Sequence, residues 1–373
     1  MTSPEPRDTL GGKLSNLPGN HSATLHPVSM NPSTAPLPSL ALDVYLPMMK
    51  SAALITAGEL GIFAALSPGP LPVEELAGRL GTSVQGTDRL CAVLTQTGYL
   101  ERTPENRLRN SPHAQAWLTE SGRQDWNSGL RWFGHAWQLM SGLREAVVRG
   151  SPATTLWDRM HAHPGMGQDF AAYMKDYAAS VAEDVQRAIE VPATARTLLD
   201  VGGSHGLHAA AFCRRFPGLH AVIYDLPVSL THTRNWIAGW GLADRITCRE
   251  SNIVSDALPS TFDVITYFLV AHNQTDENNA RIIKKLAQAL NPGGRLYVYE
   301  YVREPADRHR VSSTEALAAA FDLTLLVETG THLHTAERIQ AWLSDASLED
   351  IRRTDLQPSE KGSVFGASRP GHP

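Results

Sequence analysis

The sequence predicts a doubly wound α/β domain with a mostly parallel sheet, preceded by an all-helical, winged-helix-like domain. A short strand that begins at Thr197 passes into a glycine-rich loop and then into a helix. Four more strand-like runs follow this unit, with helix-like segments among them. Before it, apolar residues recur with helical spacing over much of the chain. Strands that alternate with helices indicate a parallel sheet, and the helical spacing indicates a separate domain before it.

The composition argues against several classes of function. The chain has 373 residues, of which 42% are hydrophobic, and its net charge of −5 offers no basic surface for nucleic acid. No apolar run approaches the length of a membrane span and no secretory signal is visible, so we expect a cytoplasmic protein that does not bind a membrane. The three cysteines lie far apart, which favours buried thiols over a disulfide or a metal site.

The N-terminal half divides into a leader and a helical domain. Residues 1–37 are rich in proline, serine and threonine, which favours a disordered leader over a strap on a partner subunit. The predicted helical domain covers 38–185 and the α/β domain 186–373. Two helices, the second capped by Ser83, precede two short strand-like runs, as in a winged helix. The second helix carries only Arg89 as a base, so DNA binding is not expected.

The glycine-rich loop is predicted to bind a ligand. Asp200 lies near the end of the apolar strand 197–201, and glycines follow at positions 202, 203 and 206. Gly202 and Gly203 allow a tight turn and let a ligand approach where a Cβ atom would collide. In a doubly wound sheet, ligands bind at this corner because the carboxyl ends of the strands meet there.

Four further strands are predicted along the chain, over residues 221–225, 245–249, 262–270 and 295–300. The first of these ends at Asp225, where a carboxylate would hold a ribose diol. The next is followed by a polar turn that contains Asn252. A helix over 278–290 ends at the break 291–294, and the last of the four strands ends at Glu300. A polar loop over 303–313, helices over 314–324 and 335–344, and a final strand over 364–368 complete the prediction.

The sequence resembles the S-adenosylmethionine-dependent methyltransferases in four motifs. They are D-V-G-G-S-H-G from Asp200, Y-D-L-P from Tyr224, H-N-Q-T-D-E from His272 and N-P-G-G-R-L-Y-V-Y-E from Asn291. The resemblance is closest to the hydroxyl O-methyltransferases of the plant caffeic acid type and of bacterial antibiotic pathways. It implies a Rossmann-like class I methyltransferase domain, S-adenosyl-L-methionine as cofactor, and a helical domain that forms a homodimer.

The resemblance also implies a set of cofactor contacts. Asp225 would hold the ribose, Gly202 and Gly203 would surround the amino acid moiety, and Asn252 and Ile253 would lie at the adenine. The complete set of expected contacts is Asp200, Gly202, Gly203, Asp225, Leu226, Asn252, Ile253 and Phe268. No metal is implied, because the pairs His161-Ala-His163 and His332-Leu-His334 lack flanking carboxylate or cysteine ligands.

His272 is the predicted general base. A histidine is the natural base for a phenol, and His272 lies just past the fourth strand, at the edge of the sheet where the ligand binds. It matches the histidine of the family motif H-D-W-x-D-E. Glu300 matches an acid that the family places beside this histidine, where a carboxylate would orient the imidazole. The alternatives are a structural histidine and a solvated acid at a strand end.

The segment 125–185 is predicted to be helical and is unusually rich in aromatic residues and methionine. Most of them would pack in the core or the dimer, and some are expected to line a pocket for a flat, apolar acceptor. Met174 and Tyr177, three apart on one helical face, are the main candidates. The complete set of predicted acceptor contacts is Met174, Tyr177, Trp137, Asn273, Phe321 and Leu325.

Several residues depart from the family pattern. A second acid flanks the base in the family motif G-G-K-E-R-T, and Leu333 replaces it here. Glu328 is nearby in sequence, but its register argues against it as a substitute. Asn252, Asn273 and Gln274 replace an aspartate, an acid and a tryptophan, and Phe268 stands where a lysine often reaches the donor.

Two functions remain open at this point. The first is a homodimeric O-methyltransferase that acts on a hydroxylated aromatic or polyketide-like small molecule in natural-product biosynthesis. The second is a protein of the same fold that keeps the cofactor but catalyses a different reaction, such as hydroxylation or cyclisation. The missing second acid is compatible with both, because an acidic phenol needs little help from a base.

Overall fold

The structure is a computed structural model that describes residues 39–122, 124–258, 261–304, 313–357 and 362–371. The predicted leader 1–37 and most of the predicted polar loop 303–313 lie outside these ranges. Among the described residues, no helix is both long and apolar enough to cross a membrane.

The N-terminal domain is helical apart from one small hairpin. It begins with a π-helical turn, Ala41–Tyr45, followed by α1 (Leu46–Leu60), α2 (Ile62–Leu66), α3 (Val73–Leu80), α4 (Val84–Gln96), β1 (Leu100–Arg102), β2 (Leu108–Asn110) and α5 (Pro112–Trp117). Gly61 and Gly81 end α1 and α3 in left-handed conformations. The Ser83 hydroxyl accepts the Gly86 N–H at 3.1 Å and caps α4. The antiparallel pair of β1 and β2 completes the predicted helix–helix–wing order.

A second group of helices connects this domain to the sheet. It consists of α6 (Asn127–Met140), α7 (Leu143–Arg149), α8 (Leu156–Ala162) and α9 (Pro164–Ala188). Aromatic rings join these helices, for example Trp132 and Phe170 with centroids 4.8 Å apart. The C-terminal half of α9 is buried in the core of the next domain through Val181 and Val185. This long helix therefore forms part of both halves of the molecule.

The C-terminal domain contains a seven-stranded sheet within the described residues, in the order β5-β4-β3-β6-β7-β9-β8. Its strands are β3 (Thr197–Val201), β4 (His220–Asp225), β5 (Ile246–Glu250), β6 (Phe262–Phe268), β7 (Leu290–Glu300), β8 (Glu349–Asp355) and β9 (Ser363–Ser368). Strands β3 to β7 are parallel, and β9 is antiparallel to both of its neighbours. The mostly parallel, doubly wound sheet predicted from the sequence is confirmed.

Helices cover both faces of this sheet. They are α10 (Leu207–Arg215), α11 (Thr233–Gly239), α12 (Asp276–Gln288) and α14 (Ala336–Asp345), whereas α13 (Ser313–Glu328) packs against α6 and α7. One face packs against α9 and α10 around Phe212, and the other packs against α12 and α14 around Trp342. The Thr335 hydroxyl caps α14 by accepting the Arg338 N–H at 3.2 Å, as the sequence predicted.

Three elements differ from the sequence prediction. Strand β8 was not predicted, because Glu349–Asp355 is largely charged and exposed and has no apolar alternation. Helix α13 continues four residues beyond the predicted end at Thr324. The predicted break at 291–294 lies inside β7, where Gly293 takes a φ of 74° and the pairing with β6 shifts register.

Candidate active site

The glycine loop forms a cradle that larger residues would fill. Gly202 follows β3 with a φ of 69°, which favours glycine, and a Cβ atom there would collide with the side chain of Val270. A Cβ atom on Gly203 would collide with the carboxylate of Asp200. Both glycines are therefore needed for the backbone to pass close to the ends of β3 and β6.

Two carboxylates stand beside this loop, of which Asp200 is buried and Asp225 is partly exposed. Asp225 accepts the N–H groups of Ser204 (2.9 Å) and Leu226 (2.7 Å), which fixes its orientation at the end of β4. Asp200 is 1% exposed and accepts the Thr266 hydroxyl at 2.8 Å, while its other carboxylate oxygen has no partner among the described residues. Burial raises the pKa of Asp200 to about 6 and also raises the pKa of Asp225.

A cavity of about 320 Å³ opens in front of the loop. It joins the carboxyl ends of β3, β4 and β6 to the side of α9, so it lies where the fold places a ligand site. Of the residues predicted to contact a cofactor or an acceptor, those that line it are Asp200, Gly202, Gly203, Asp225, Leu226, Asn252, Ile253, Phe268, Met174, Tyr177 and Asn273. The structure thus brings the whole predicted cofactor set together in one cavity.

Two histidines that line the cavity were missed from the sequence. His205 and His208 are buried, and burial lowers their pKa values to about 3 and about 4, so both are neutral near pH 7. The ring of His208 meets Phe268 edge-on with centroids 5.2 Å apart, and its Nδ1 atom has no partner among the described residues. The only sequence feature that could have indicated them is their position, three and six residues after Gly202.

His272 and Glu300 form a buried pair next to this cavity. His272 lies in a 3-10 turn, Ala271–Asn273, just after β6, and Glu300 is the last residue of β7. Their atoms Nδ1 and Oε2 are 2.7 Å apart, and the two residues are 8% and 1% exposed. Because a carboxylate only accepts, Nδ1 carries a proton, and in the neutral imidazole Nε2 then keeps its lone pair. The Glu300 carboxylate also accepts the backbone N–H of His272 at 3.3 Å.

The remaining predicted acceptor residues do not line the cavity. Phe321 contacts the His272 ring edge-on at 5.3 Å between centroids, and Leu325 is buried at 1% exposure. Trp137, on α6, is 46% exposed. Tyr177 belongs to a cluster of hydroxyl groups, because its Oη atom lies 3.0 Å from that of Tyr299 and also contacts Tyr301.

Leu333 and Glu328 are the two candidate positions for a second acid near His272, but only Glu328 carries a carboxylate. Leu333, which replaces the family's second acid, is fully buried. Glu328, which the register argument had set aside, is 7% exposed and close enough to His272 that the imidazole lowers its pKa, although burial raises that pKa to about 7 overall. Gly330, with a φ of 75°, lies just after the end of α13 and between these two residues, and sequence spacing alone does not reveal this turn.

Within the described residues, one group of potential metal ligands combines Asp276 of the His272 motif with two histidines. Asp276, His332 and His334 offer ligand atoms that all lie within 4.8 Å of one another. The carboxylate that the sequence analysis found lacking beside the histidine pair thus comes from α12. The Arg338 Nε atom already pairs with Asp276 at 3.0 Å, which neutralises this carboxylate and disfavours a cation beside it.

Comparison with known proteins relates both domains of the chain to O-methyltransferases. Residues 141–348 match the O-methyltransferase domain, and residues 42–120 match the O-methyltransferase dimerisation domain. The 3-hydroxy-5-methyl-1-naphthoate 3-O-methyltransferase of Streptomyces sahachiroi is 26% identical over 91% of this chain and 97% of its own length. The aclacinomycin 10-hydroxylase RdmB of Streptomyces purpurascens is 30% identical over 79% of this chain and 80% of its own. The structure of human N-acetylserotonin methyltransferase in complex with S-adenosylmethionine matches 92% of this chain and all of its own, with a TM-score of 0.79 and 22% identity.

Proposed function

The chain belongs to the O-methyltransferase family, and from this premise we propose that it methylates a hydroxyl group of an aromatic or polyketide-like small molecule. As a member of the family it is an S-adenosylmethionine-dependent methyltransferase with an O-methyltransferase dimerisation domain. The observation that supports a hydroxyl acceptor best is the buried pair of His272 and Glu300 beside the cavity. A base held in this way suits an acceptor that must lose a proton.

The residues of the cavity fit S-adenosylmethionine. Asp225 would hold the ribose, and Asn252 and Ile253 would contact the adenine. The unpartnered oxygen of Asp200 would accept a hydrogen bond from the amino group, beside Gly202 and Gly203. Leu226 and Phe268 would pack against the bound molecule. When bound, the cofactor supplies a methyl group that its sulfonium has already activated.

Proton removal would fall to His272. Its Nδ1–H is held by Glu300, so Nε2 is free to accept the proton of the acceptor hydroxyl. The carboxylate of Glu300 would then stabilise the positive imidazolium ring. The protein would otherwise act by holding the two reactants in line, which can supply a large part of the acceleration. Met174, Tyr177, Asn273 and Phe321 would line the acceptor side.

A second candidate function keeps the cofactor without methyl transfer. Leu333 stands fully buried where the family has a second acid, and one relative at 30% identity is named as a hydroxylase. Under this alternative the protein would convert its substrate without releasing S-adenosylhomocysteine.

We also propose the biological setting and the assembly in finer detail. The relatives named above include an enzyme that methylates a hydroxynaphthoate and a hydroxylase of aclacinomycin, which supports a role in natural-product biosynthesis. The dimerisation domain supports a homodimer. We propose the same domain division as the sequence predicts: a leader over 1–37, a helical domain over 38–185 and a methyltransferase domain over 186–373.

Calorimetric binding of S-adenosylmethionine combined with a turnover assay tests the assignment of roles. The variant His272→Ala should bind the cofactor as the wild type does and lose turnover by about 10²-fold or more. The variant Asp225→Ala should lose binding, because the ribose would lose its carboxylate. Equal loss of binding and turnover in His272→Ala, or unchanged binding in Asp225→Ala, would contradict these roles.

A further inference from the structure

Glu328 is a buried acid without a partner. It is the last residue of α13, and its side chain is only 7% exposed. Within the described parts of the chain, its carboxylate takes part in no hydrogen bond and no ion pair. Burial of a charged group without a partner is costly, and burial is the main reason why the pKa of Glu328 rises to about 7.

The position of Glu328 is set by the helix that carries it. Val327 anchors the end of α13 in the apolar cluster formed with α6, α8 and α9. Glu328 lies seven residues after Phe321 and therefore on the same face of the helix. The ring of Phe321 meets the ring of His272 at 5.3 Å between centroids. Glu328 thus belongs to the face of α13 that is turned towards the predicted base.

Charge interactions with His272 and with Tyr173 agree with this position of Glu328. The imidazole of His272 lowers the pKa of Glu328, and the charge of Glu328 helps to raise the pKa of Tyr173 on α9, which burial raises most. Geometry supports the same position, because Thr331, three residues after Glu328, donates its hydroxyl to the His272 carbonyl at 2.6 Å. Glu328 itself forms no ion pair with His272, since the ion pair of this histidine is with Glu300.

A buried polar group that the protein leaves without a partner commonly finds one in a ligand. No lysine or arginine forms an ion pair with Glu328 among the described residues, so no resident cation takes this role there. A carboxylate accepts hydrogen bonds, so its partner must be a donor. The natural source of this donor is the molecule whose hydroxyl group faces His272.

We propose that Glu328 is an acceptor-binding residue that recognises a second hydrogen-bond donor, a hydroxyl or amino group, close to the hydroxyl that is methylated. This inference rests on the proposed function and names its substrate class: an aromatic ring with two neighbouring donor groups rather than a simple monophenol. The site would reject an analogue without the second donor, because the buried carboxylate would then remain unpaired.

Binding of three matched ligands tests this proposal without any need for turnover. The ligands are naphthalene with two adjacent hydroxyl groups, the same ring with one hydroxyl, and the same ring with its second hydroxyl methylated. Each is titrated by calorimetry into the protein alone and into the protein saturated with S-adenosylhomocysteine. The wild type should bind the diol about 10-fold or more tightly than the other two.

Two variants and one control connect this preference to Glu328. Glu328→Leu should lower the ratio of affinities to about one while the protein keeps its affinity for the monohydroxy ligand. Glu328→Gln should keep part of the preference, because its amide oxygen still accepts a hydrogen bond. Glu337→Gln, an exposed acid on the next helix, should behave like the wild type. Thermal unfolding of each variant verifies that it is folded.

Several results would overturn the proposal. These are an equal affinity of the wild type for the three ligands, binding of none of them, or an unchanged ratio in Glu328→Leu. An equal loss of turnover on the diol and the monohydroxy ligand in Glu328→Leu would show instead that Glu328 acts by positioning His272. Failure of the proposed function looks different, because the wild type would then release no S-adenosylhomocysteine with any acceptor, whatever the affinity ratio.

Discussion

Glu300 decides which nitrogen of His272 is available to an acceptor. The carboxylate lies 2.7 Å from Nδ1 and also accepts the backbone N–H of the same histidine, so it fixes both the ring and its tautomer. The hydroxyl of Thr331 donates to the carbonyl of His272 at 2.6 Å and holds the turn from the other side. The proposed base is therefore oriented by contacts from two separate segments.

Replacement of Glu300 by glutamine tests this orientation. The amide is neutral and can present an N–H group to Nδ1, which would favour the wrong tautomer of His272. We expect turnover to fall by about 10²-fold to 10⁴-fold while cofactor binding is preserved. Glu277→Gln, an exposed acid in the same motif, is the matched control and should keep its activity. Wild-type turnover in Glu300→Gln would contradict the role of Glu300.

His208 links the cavity to the pH dependence of stability. Burial lowers its pKa from 6.5 to about 4, so the unfolded chain binds a proton more readily than the folded protein in this range. Stability from this residue is present above pH 6.5 and is lost as the pH falls towards 4. The slope that it contributes is at most about 1.4 kcal/mol per pH unit.

The variant His208→Leu should therefore show a shallower loss of unfolding free energy between pH 6.5 and about 4 than the wild type. Urea unfolding at a series of pH values measures this slope. His205 remains in the variant and has a pKa lowered to about 3, so the slope should decrease without disappearing. An identical slope in both proteins would mean that His208 is not buried in its neutral form.

Individual residues differ in how far the sequence could reveal them. Asp225, His272 and Glu300 each end or follow a strand, and parallel strands bring such positions to one edge, so their proximity was predictable. Glu328 was not, because its place beside His272 depends on the length of α13 and on the turn at Gly330. His205 and His208 were not predicted, because the glycine loop predicts a ligand site through its backbone and does not indicate which neighbouring side chains line the cavity.

At the scale of elements, the cradle depends on the exact fit of the glycine loop between two strands. The loop passes so close to the ends of β3 and β6 that a methyl group on either Gly202 or Gly203 would strike a neighbouring side chain. The orientation of Asp200, which Thr266 on β6 holds at 2.8 Å, depends on the same close approach. One methyl group should thus disturb both the backbone and the carboxylate.

A pair of glycine-to-alanine variants tests this close approach. Gly203→Ala should weaken the binding of S-adenosylmethionine by about 10-fold or more, because Asp200 must move away from the new methyl group. Gly78→Ala on α3 has no atom within 4 Å of the added Cβ and should leave binding unchanged. It should also stabilise the protein by about 0.5–1 kcal/mol. Undiminished binding in Gly203→Ala would contradict the proposed cradle.

The elements themselves were predictable to different degrees. Most strands of the parallel sheet have apolar runs bounded by turn residues, and the sequence predicted all five strands, including the more polar β5. Strand β8 was not predicted because it lies at the edge of the sheet and is largely charged and exposed, with no alternation of apolar residues. The break predicted at 291–294 became a bulge in β7, because the strand resumes its pairing with β6 after the glycines.

At the scale of the whole molecule, the N-terminal segment presents an apolar surface that nothing covers within the described chain. Leu42, Val44 and Tyr45 are 63%, 56% and 60% exposed, and Leu40 before them is 75% exposed. A contiguous apolar surface of this kind is typical of an interface. It coincides with the start of the dimerisation domain. We expect it to be buried against a second copy of the chain.

An aspartate at position 44 should weaken this dimer. The variant Val44→Asp would place a charge in an apolar interface and shift the protein towards monomer by about 10-fold or more in dissociation constant. Sedimentation equilibrium over a range of concentrations measures the shift. Lys284→Asp, an exposed change on α12, should leave the dimer intact. A dimer of equal strength in Val44→Asp would place the interface on another surface.

The central claim is that the protein transfers the methyl group of S-adenosylmethionine to an acceptor with the help of His272. The most direct measurement quantifies S-adenosylhomocysteine and methylated product together by mass spectrometry, for the wild type and for His272→Ala, with a dihydroxynaphthalene as acceptor. We predict one S-adenosylhomocysteine for each methylated product in the wild type and little of either in the variant. Conversion of the acceptor without S-adenosylhomocysteine, or equal methylation by both proteins, would contradict the claim.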